Sequence, residues 1–357
     1  MSKIYYVSSF SKDSSLHGGT LRTMQIREEL DKQFHDVHEL NFDFQIKLEL
    51  LGAAPLLLRP TTFKKILEGL SLPGSVKLAS LLKQVIQCIP KNSCVCLEIC
   101  GANSILLGHA LISRGCRIIC FPHNIEALVR GVKTRIFYDE FSWMRMELEL
   151  YRKSVQVFAI SSFDRAVLAS LGVKVGIFPY FPCLQRMAFL DEIKKVREDN
   201  RLTRTRDLLI FSSVSNSPTR IAVEGFIHEF TKHASSYKFN LLVAGRGTEI
   251  FDQLDSEKIK ILGEVDEEDA RLLQQRASFS IVPAIQTSGF LTKLVENNLI
   301  SLPTLVLGNY LQANSLEDYG IFMQADSTIK NMIKILNKPL NYSLKKFNHA
   351  NIHIQFY

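Results

Sequence analysis

With 357 residues, 46% of them hydrophobic and 22% charged, the chain has enough apolar material to bury two cores, which excludes a disordered tail, a collagen and a disulfide miniprotein. The net charge of +7, from 43 basic and 36 acidic residues, is mild for a nucleic-acid binder, and without a zinc module or aromatic-basic repeat no nucleic-acid partner is expected. No apolar run reaches the roughly 20 residues of a bilayer span, because Leu50–Leu58 is cut by Gly52 and Pro55.

Strand-like runs come first at Lys3–Phe10, Val37–Phe42, Cys94–Ile99, Arg117–Phe121, Val155–Ile160 and Val175–Phe178. Helical patterns lie between them at Thr20–Phe34, Ser75–Ile89, Ser104–Ser113, Ala127–Lys153 and Phe163–Ser170. The second half repeats the alternation with strands at Leu208–Val214, Phe239–Ala244, Lys260–Leu262, Phe279–Val282, Thr304–Leu307 and Ile321–Met323. Short β-branched runs alternating with helices predict an α/β fold of parallel sheets covered on both faces.

The polar stretch Asp191–Asp207 interrupts the alternation. It sets the expected organisation: a Rossmann-like domain over residues 1–183, a linker over 184–206, a second Rossmann-like domain over 207–340, and a tail over 341–357 that packs back on the first domain. Two such doubly wound domains facing a central cleft put ligands at the carboxyl ends of their strands.

A strand-like N-terminus instead of a basic and apolar leader predicts a cytoplasmic protein. The cysteines number seven, an odd count that speaks against a disulfide framework. Cys94, Cys96 and Cys100 lack a fourth metal ligand and intervening turn residues, so they read as buried, inert thiols. Between Arg59 and Lys91 six basic residues face a single acid, Glu68, amid regularly spaced apolar residues. That reads equally as a peripheral contact with an anionic membrane or as a solvated helical surface.

Three loops carry candidate chemistry. His17-Gly18-Gly19-Thr20 opens a helix containing Arg22, and a glycine pair there lets backbone N–H groups approach an anion. Pro122-His123-Asn124-Ile125-Glu126 follows a strand, so His123 falls at a carboxyl end. The third loop includes Ser288 and Gly289 before a helix from about Phe290 to Ile300, in which Lys293 and Glu296 share a face. A surface ion pair explains that last spacing equally well.

These loops resemble glycosyltransferases of the GT-B fold, specifically the retaining family-4 type. Gly18-Gly19 with Arg22 is similar to that family's glycine-rich loop, and His-Asn-Ile-Glu at 123–126 to its histidine loop. Phe158–Asp164, Leu171-Gly172-Val173 and Phe178-Pro179-Tyr180 resemble the end of its first domain. Phe211-Ser212-Ser213, Leu242–Gly247, Leu262–Val265 and residues 283–303 follow in the family's order, so the resemblance spans most of the chain. Two departures stand out. The family's Glu-x7-Glu pair has Ser288 at its first position here, and the loop after the first strand of the second half has Arg220 as its basic residue.

The resemblance implies transfer of a sugar from a nucleotide-sugar donor to a glycan or lipid-linked acceptor, with retention, in surface polysaccharide or glycoconjugate synthesis. It implies His123, Lys293 and Glu296 as catalytic residues. Donor contacts would come from Gly18, Gly19, Arg220, Arg246, Gly263, Val265, Ser288, Gly289, Lys293 and Glu296, with Glu296 at the ribose and the base near Gly263–Val265. His17, Arg22, Asn124 and Glu126 are the acceptor-side candidates. No cofactor and no obligatory metal are expected, and the sequence contains no Asp-x-Asp triplet. Two rivals remain: a non-catalytic nucleotide-sugar sensor or assembly protein, and a methyltransferase suggested by Val95–Asn103.

Overall fold

The computed structural model describes residues 3–8, 10, 18–40, 69–129, 136–199, 205–215, 217–233, 238–283, 290–307 and 323–325. Two compact units divide the chain between Phe181 and Pro182.

The first unit is built on strands β1 (Ile4–Val7), β2 (Val37–Leu40), β3 (Cys94–Ile99), β4 (Arg117–Pro122), β5 (Gln156–Ala159) and β6 (Val175–Ile177). They form one parallel sheet in the order β2-β1-β3-β4-β5-β6. Helices α1 (Gly18–Gln33), α2 (Leu72–Cys88), α3 (Ala102–Ser113), α4 (Glu140–Lys153) and α5 (Ser162–Ser170) cover it. The period of two along a strand separates the faces. In β3, Val95, Leu97 and Ile99 join the core that also holds Leu81, Leu106 and Leu150. Cys96 faces the opposite side, with Tyr6, Ile26 and Phe121.

The second unit begins with α6 (Leu184–Glu198) and continues with β7 (Asp207–Phe211), α7 (Ser217–His233), β8 (Asn240–Ala244), β9 (Ile259–Gly263), α8 (Glu267–Arg276), β10 (Phe279–Pro283), α9 (Thr292–Leu299), β11 (Thr304–Leu307) and β12 (Met323–Ala325). Its parallel sheet runs β12-β11-β10-β7-β8-β9, the strand order of a Rossmann domain, with the direction of winding reversing between β7 and β10. Both units are therefore Rossmann-like α/β domains, as the alternation predicts.

Three expectations need correction. In place of the single helix expected over Ala127–Lys153 the described residues hold a one-turn 3-10 helix, Glu126–Leu128, and α4 from Glu140. Asp139 starts α4 by accepting a hydrogen bond from the Ser142 N–H at 2.6 Å. The expected linker is largely α6, which buries Leu190 and Ile193 against Leu209, Ala277 and Ile300 of its own unit. On the same face Arg197, 4% exposed, donates to the Gln274, Gln275, Ala277 and Ser301 carbonyls, so a guanidinium closes the carbonyl-rich end of α8. Finally, the strand expected at Ile321–Met323 runs from Met323 to Ala325.

Of the basic 59–91 stretch, residues 59–68 lie outside the described residues, as does the 341–357 tail. The apolar side of α2, with Val76, Leu78, Leu81, Leu82 and Val85, is buried in the core of its own unit, whereas Lys83 and Lys91 are exposed. The helix therefore turns its apolar side inward and carries Lys83 on its exposed side. Among the described residues no helix is long and apolar enough to cross a membrane.

Candidate functional site

In each unit several of the candidate residues lie at the carboxyl edge of the sheet. In the second unit the ends of β7, β8 and β9 are tied to one another. Ser212 N–H donates to the Ala244 carbonyl, Val214 N–H to Arg246, and Gly245 N–H to Gly263, at 2.7–3.0 Å. Gly245 has φ +126, and a Cβ there would stand 2.4 Å from the Ser212 carbonyl oxygen, so only glycine allows β7 and β8 to end this close together.

Onto this edge α9 delivers Lys293. Its ammonium donates to the Phe211 carbonyl at 3.2 Å and to Ser212 Oγ at 2.5 Å, at the point where the winding reverses. Desolvation pushes the Lys293 ammonium down to about 8, with Glu296 pulling weakly the other way. One turn on, Glu296 is buried and gripped by Arg186 of α6 through two parallel hydrogen bonds, 3.1 and 2.7 Å. The ribose contact expected of Glu296 would have to share a carboxylate already held by that guanidinium. Arg220 is exposed on the first turn of α7, Arg246 is exposed after β8, and Gly263 and Val265 lie at the end of β9. Ser288 and Gly289 lie outside the described residues.

In the first unit the centre is Glu98, near the end of β3 and fully buried. It accepts a hydrogen bond from the Tyr6 hydroxyl on one oxygen and, on the other, from Thr23 Oγ1 at 2.6 Å, where His123 Nε2 also lies at 3.1 Å. Burial, reinforced by Glu98, raises the Tyr6 phenol well above its ordinary value, so it stays protonated as a donor. His123, 6% exposed, continues β4 by donating its N–H to the Ile99 carbonyl at 2.9 Å, and its ring lies 5.8 Å from that of Phe10.

Beyond His123 the loop is pinned from below. Glu147 of α4 accepts the Glu126 and Ala127 N–H groups, both at 2.9 Å, and the Tyr151 hydroxyl at 2.8 Å. Burial nevertheless pushes the Glu147 carboxyl up to about 7. Glu126, also buried, is pushed up to about 8 by desolvation first and the Glu147 charge second, against hydrogen bonds from Asn124 and the Gly101 N–H. Its Oε1 has no hydrogen-bond partner. The glycine loop after β3, which motivates the methyltransferase rival, thus directs its Gly101 N–H to a protein carboxyl.

Other expected residues sit differently. Gly18 and Gly19 are partly buried in the first turn of α1, and His17 lies outside the described residues. Arg22 is fully buried, stacked 4.5 Å from the Phe178 ring, donating to Gln25 Oε1 at 2.6 Å and to the Phe178 carbonyl at 2.5 Å. It fastens α1 to the segment after β6 instead of presenting an open cation. Among the cysteines, Cys96, Cys116, Cys120 and Cys183 are buried, and burial pushes the Cys120 thiol up to about 12. Of the three read as buried thiols, Cys96 is buried whereas Cys94 and Cys100 are half-buried.

Glu98, Glu147 and Arg186 are central here and were not singled out from sequence. For Glu98 the signal was present: one acid inside the apolar run Cys94–Ile99 must be compensated if that strand is buried. Glu147 carried a weaker one, four residues before Tyr151 on a half-apolar helix. Arg186 carried none.

No protein-family model and no curated protein matches the chain. Among solved structures, HepE from Anabaena in complex with UDP and glucose is similar over 94% of this chain and 89% of its own, at 13% identity and a TM-score of 0.59. UDP-GlcNAc 2-epimerase from Methanocaldococcus jannaschii, in complex with UDP-GlcNAc and UDP, is similar over 98% and 96%, at 12% identity and a TM-score of 0.57. A trehalose-6-phosphate synthase analysed for glycosyl transfer with retention is similar over 96% and 92%, at 12% identity and a TM-score of 0.55. At this level of identity the likeness concerns the fold, which is GT-B-like: two parallel-sheet, Rossmann-like domains.

Proposed function

We propose that the protein is a glycosyltransferase that moves a sugar from a nucleotide-diphosphate sugar to a glycan or glycolipid acceptor, with retention. The carrying observation is Lys293: a desolvated ammonium at the winding reversal of a Rossmann-ordered sheet, beside Ser212, with Arg220 and Arg246 exposed on the segments that follow β7 and β8. A diphosphate leaving group gains negative charge in the transition state, and cations in a partly dehydrated site stabilise it more than they do in water. Gly263 and Val265 lie two strands along from β7, a separation of roughly 10 Å. That is the reach from a diphosphate to its base. In retaining transfer the departing phosphate oxygen can take the acceptor proton, so no enzymic base is required and His123 would position the transferred sugar. The cations named supply the charge for which other transferases use a metal ion.

The experiment is a thermal-shift screen of the full chain against UDP-, GDP- and dTDP-sugars, with UDP-sugars first because the two nucleotide complexes of like fold hold UDP or UDP-GlcNAc. Labelled donor and candidate glycan acceptors follow. Stabilisation by one nucleotide class, then transfer, is expected. Binding without turnover would leave a sensor, and no stabilisation by any of them would overturn the reading. A peripheral membrane contact through residues 59–91 is part of the proposal. Equal sedimentation with neutral and anionic vesicles would remove it.

One observation favours a second reading, isomerisation of the bound nucleotide sugar. Glu126 and Glu147 hold protons close to neutral pH, as acid–base chemistry at carbon requires and retaining transfer does not. Donor incubated without acceptor separates the two: a new nucleotide-sugar isomer appears only under the second.

A further inference from the structure

We propose that Glu98 is a positioning residue that acts through His123, fixing the ring so that Nε2 carries the proton and Nδ1 presents a lone pair to a substrate hydroxyl. The inference starts from burial. A carboxylate with no exposed surface is costly unless its lone pairs are filled by donors. Tyr6 donates to one oxygen, and Thr23 Oγ1, at 2.6 Å, donates to the other. His123 Nε2, at 3.1 Å from that second oxygen, adds a further donor. The carboxylate can only accept, so in the neutral ring the proton sits on Nε2, the arrangement by which acidic residues commonly orient imidazoles.

Nδ1 has no hydrogen-bond partner among the described residues. A nitrogen with a lone pair accepts from O–H groups and repels phosphate oxygens, which offer only lone pairs. His123 is thereby committed to a sugar hydroxyl and not to the diphosphate. Its consequence for transfer rests on the function proposed above; the state of the ring does not.

Two measurements on the full chain test this. The first is a two-bond 15N–1H spectrum of histidine-labelled protein at neutral pH, with the His123 signals identified by their loss in His123→Ala. It should show Nε2 protonated and Nδ1 bare. An Nδ1–H signal overturns the proposal, and this holds even if no nucleotide sugar is ever turned over. The second is kinetic. Glu98→Gln keeps the shape and removes the charge, and should lower kcat about tenfold while the donor KM stays within about twofold. In the His123→Ala background the same substitution should change nothing further. Independent, multiplying losses would show that Glu98 does not act through His123, and so sink the proposal. If no donor is turned over, the glycosyltransferase reading fails while the spectrum still decides the inference.

Discussion

The two sheets share an architecture and differ in the charge at their carboxyl edges. In the first unit the edge is acidic: Glu98, Glu126 and Glu147 are buried, and Glu98 and Glu147 take hydrogen bonds from phenols, hydroxyls and backbone N–H groups. In the second it is basic: Lys293 reaches the winding reversal, and Arg220 and Arg246 stand exposed on neighbouring loops. Parallel strands with helical crossovers leave the same concave edge in both units. The difference is made by a few side chains, so one fold can carry a buried acidic cluster in one unit and cations at the winding reversal in the other.

The contrast is most sharply tested in the second unit, where Arg186 pairs with the buried acid Glu296 beside Lys293. Arg186→Met removes both hydrogen bonds by which the guanidinium holds the buried Glu296 carboxylate, and should cost about 3–5 kcal/mol in chemical denaturation. Arg186→Met with Glu296→Leu should recover most of that loss. If the single variant unfolds like the parent protein, the pair is incidental.

Next in size is Lys293→Ala, expected to weaken nucleotide-diphosphate binding about a hundredfold in titration calorimetry, in line with loss of a charged hydrogen bond of ~2–3 kcal/mol, with the fold retained. Undiminished affinity would remove the cation from the donor site. Because burial holds the free Lys293 ammonium at about 8, the ligand-free protein loses that charge as pH rises through 8. Nucleotide affinity should accordingly fall between pH 7 and 9 and be accompanied by proton uptake.

The first unit should show a pH linkage in its stability. Glu126 has an ordinary value of 4.5 and is raised to about 8 in the folded chain. A raised acid contributes its full stability below 4.5, and that contribution falls as the unfolded chain alone deprotonates, until the folded carboxyl titrates near 8. Urea midpoints should therefore decline from pH 5 to 8, and the decline should be shallower in Glu126→Gln. A parallel decline in both proteins would move the effect elsewhere.

The smallest effect concerns the edge's scaffold. Ser161 Oγ accepts from the Asp164 N–H at 3.0 Å at the start of α5, so Ser161→Ala should cost about 1 kcal/mol and leave nucleotide binding untouched.

Much of the architecture was legible. The strands Cys94–Ile99 and Thr304–Leu307 run as read, because a buried parallel strand is an unbroken apolar run whatever it packs against. Legibility failed where charge density was taken for exposure. The 184–206 stretch looked like a linker because its charges hide Leu190, Ile193 and Arg197, spaced three and four apart on one face. At the site, the histidine and lysine loops stood out by their place after strands, whereas Arg22 was misjudged: an arginine on a helix beside a glycine loop reads as a ligand cation until its guanidinium is found stacked on Phe178.

Local pattern by itself determined two parallel α/β units and the strand ends where chemistry collects, since period and apolar run length are properties of neighbouring residues. Partnership was decided only in three dimensions. His123 meets Glu98 across 25 residues, Lys293 meets Ser212 across 81, and Glu296 meets Arg186 across 110. A buried charge must be matched by whichever donors the packing brings within reach, and no spacing along the chain encodes which those are.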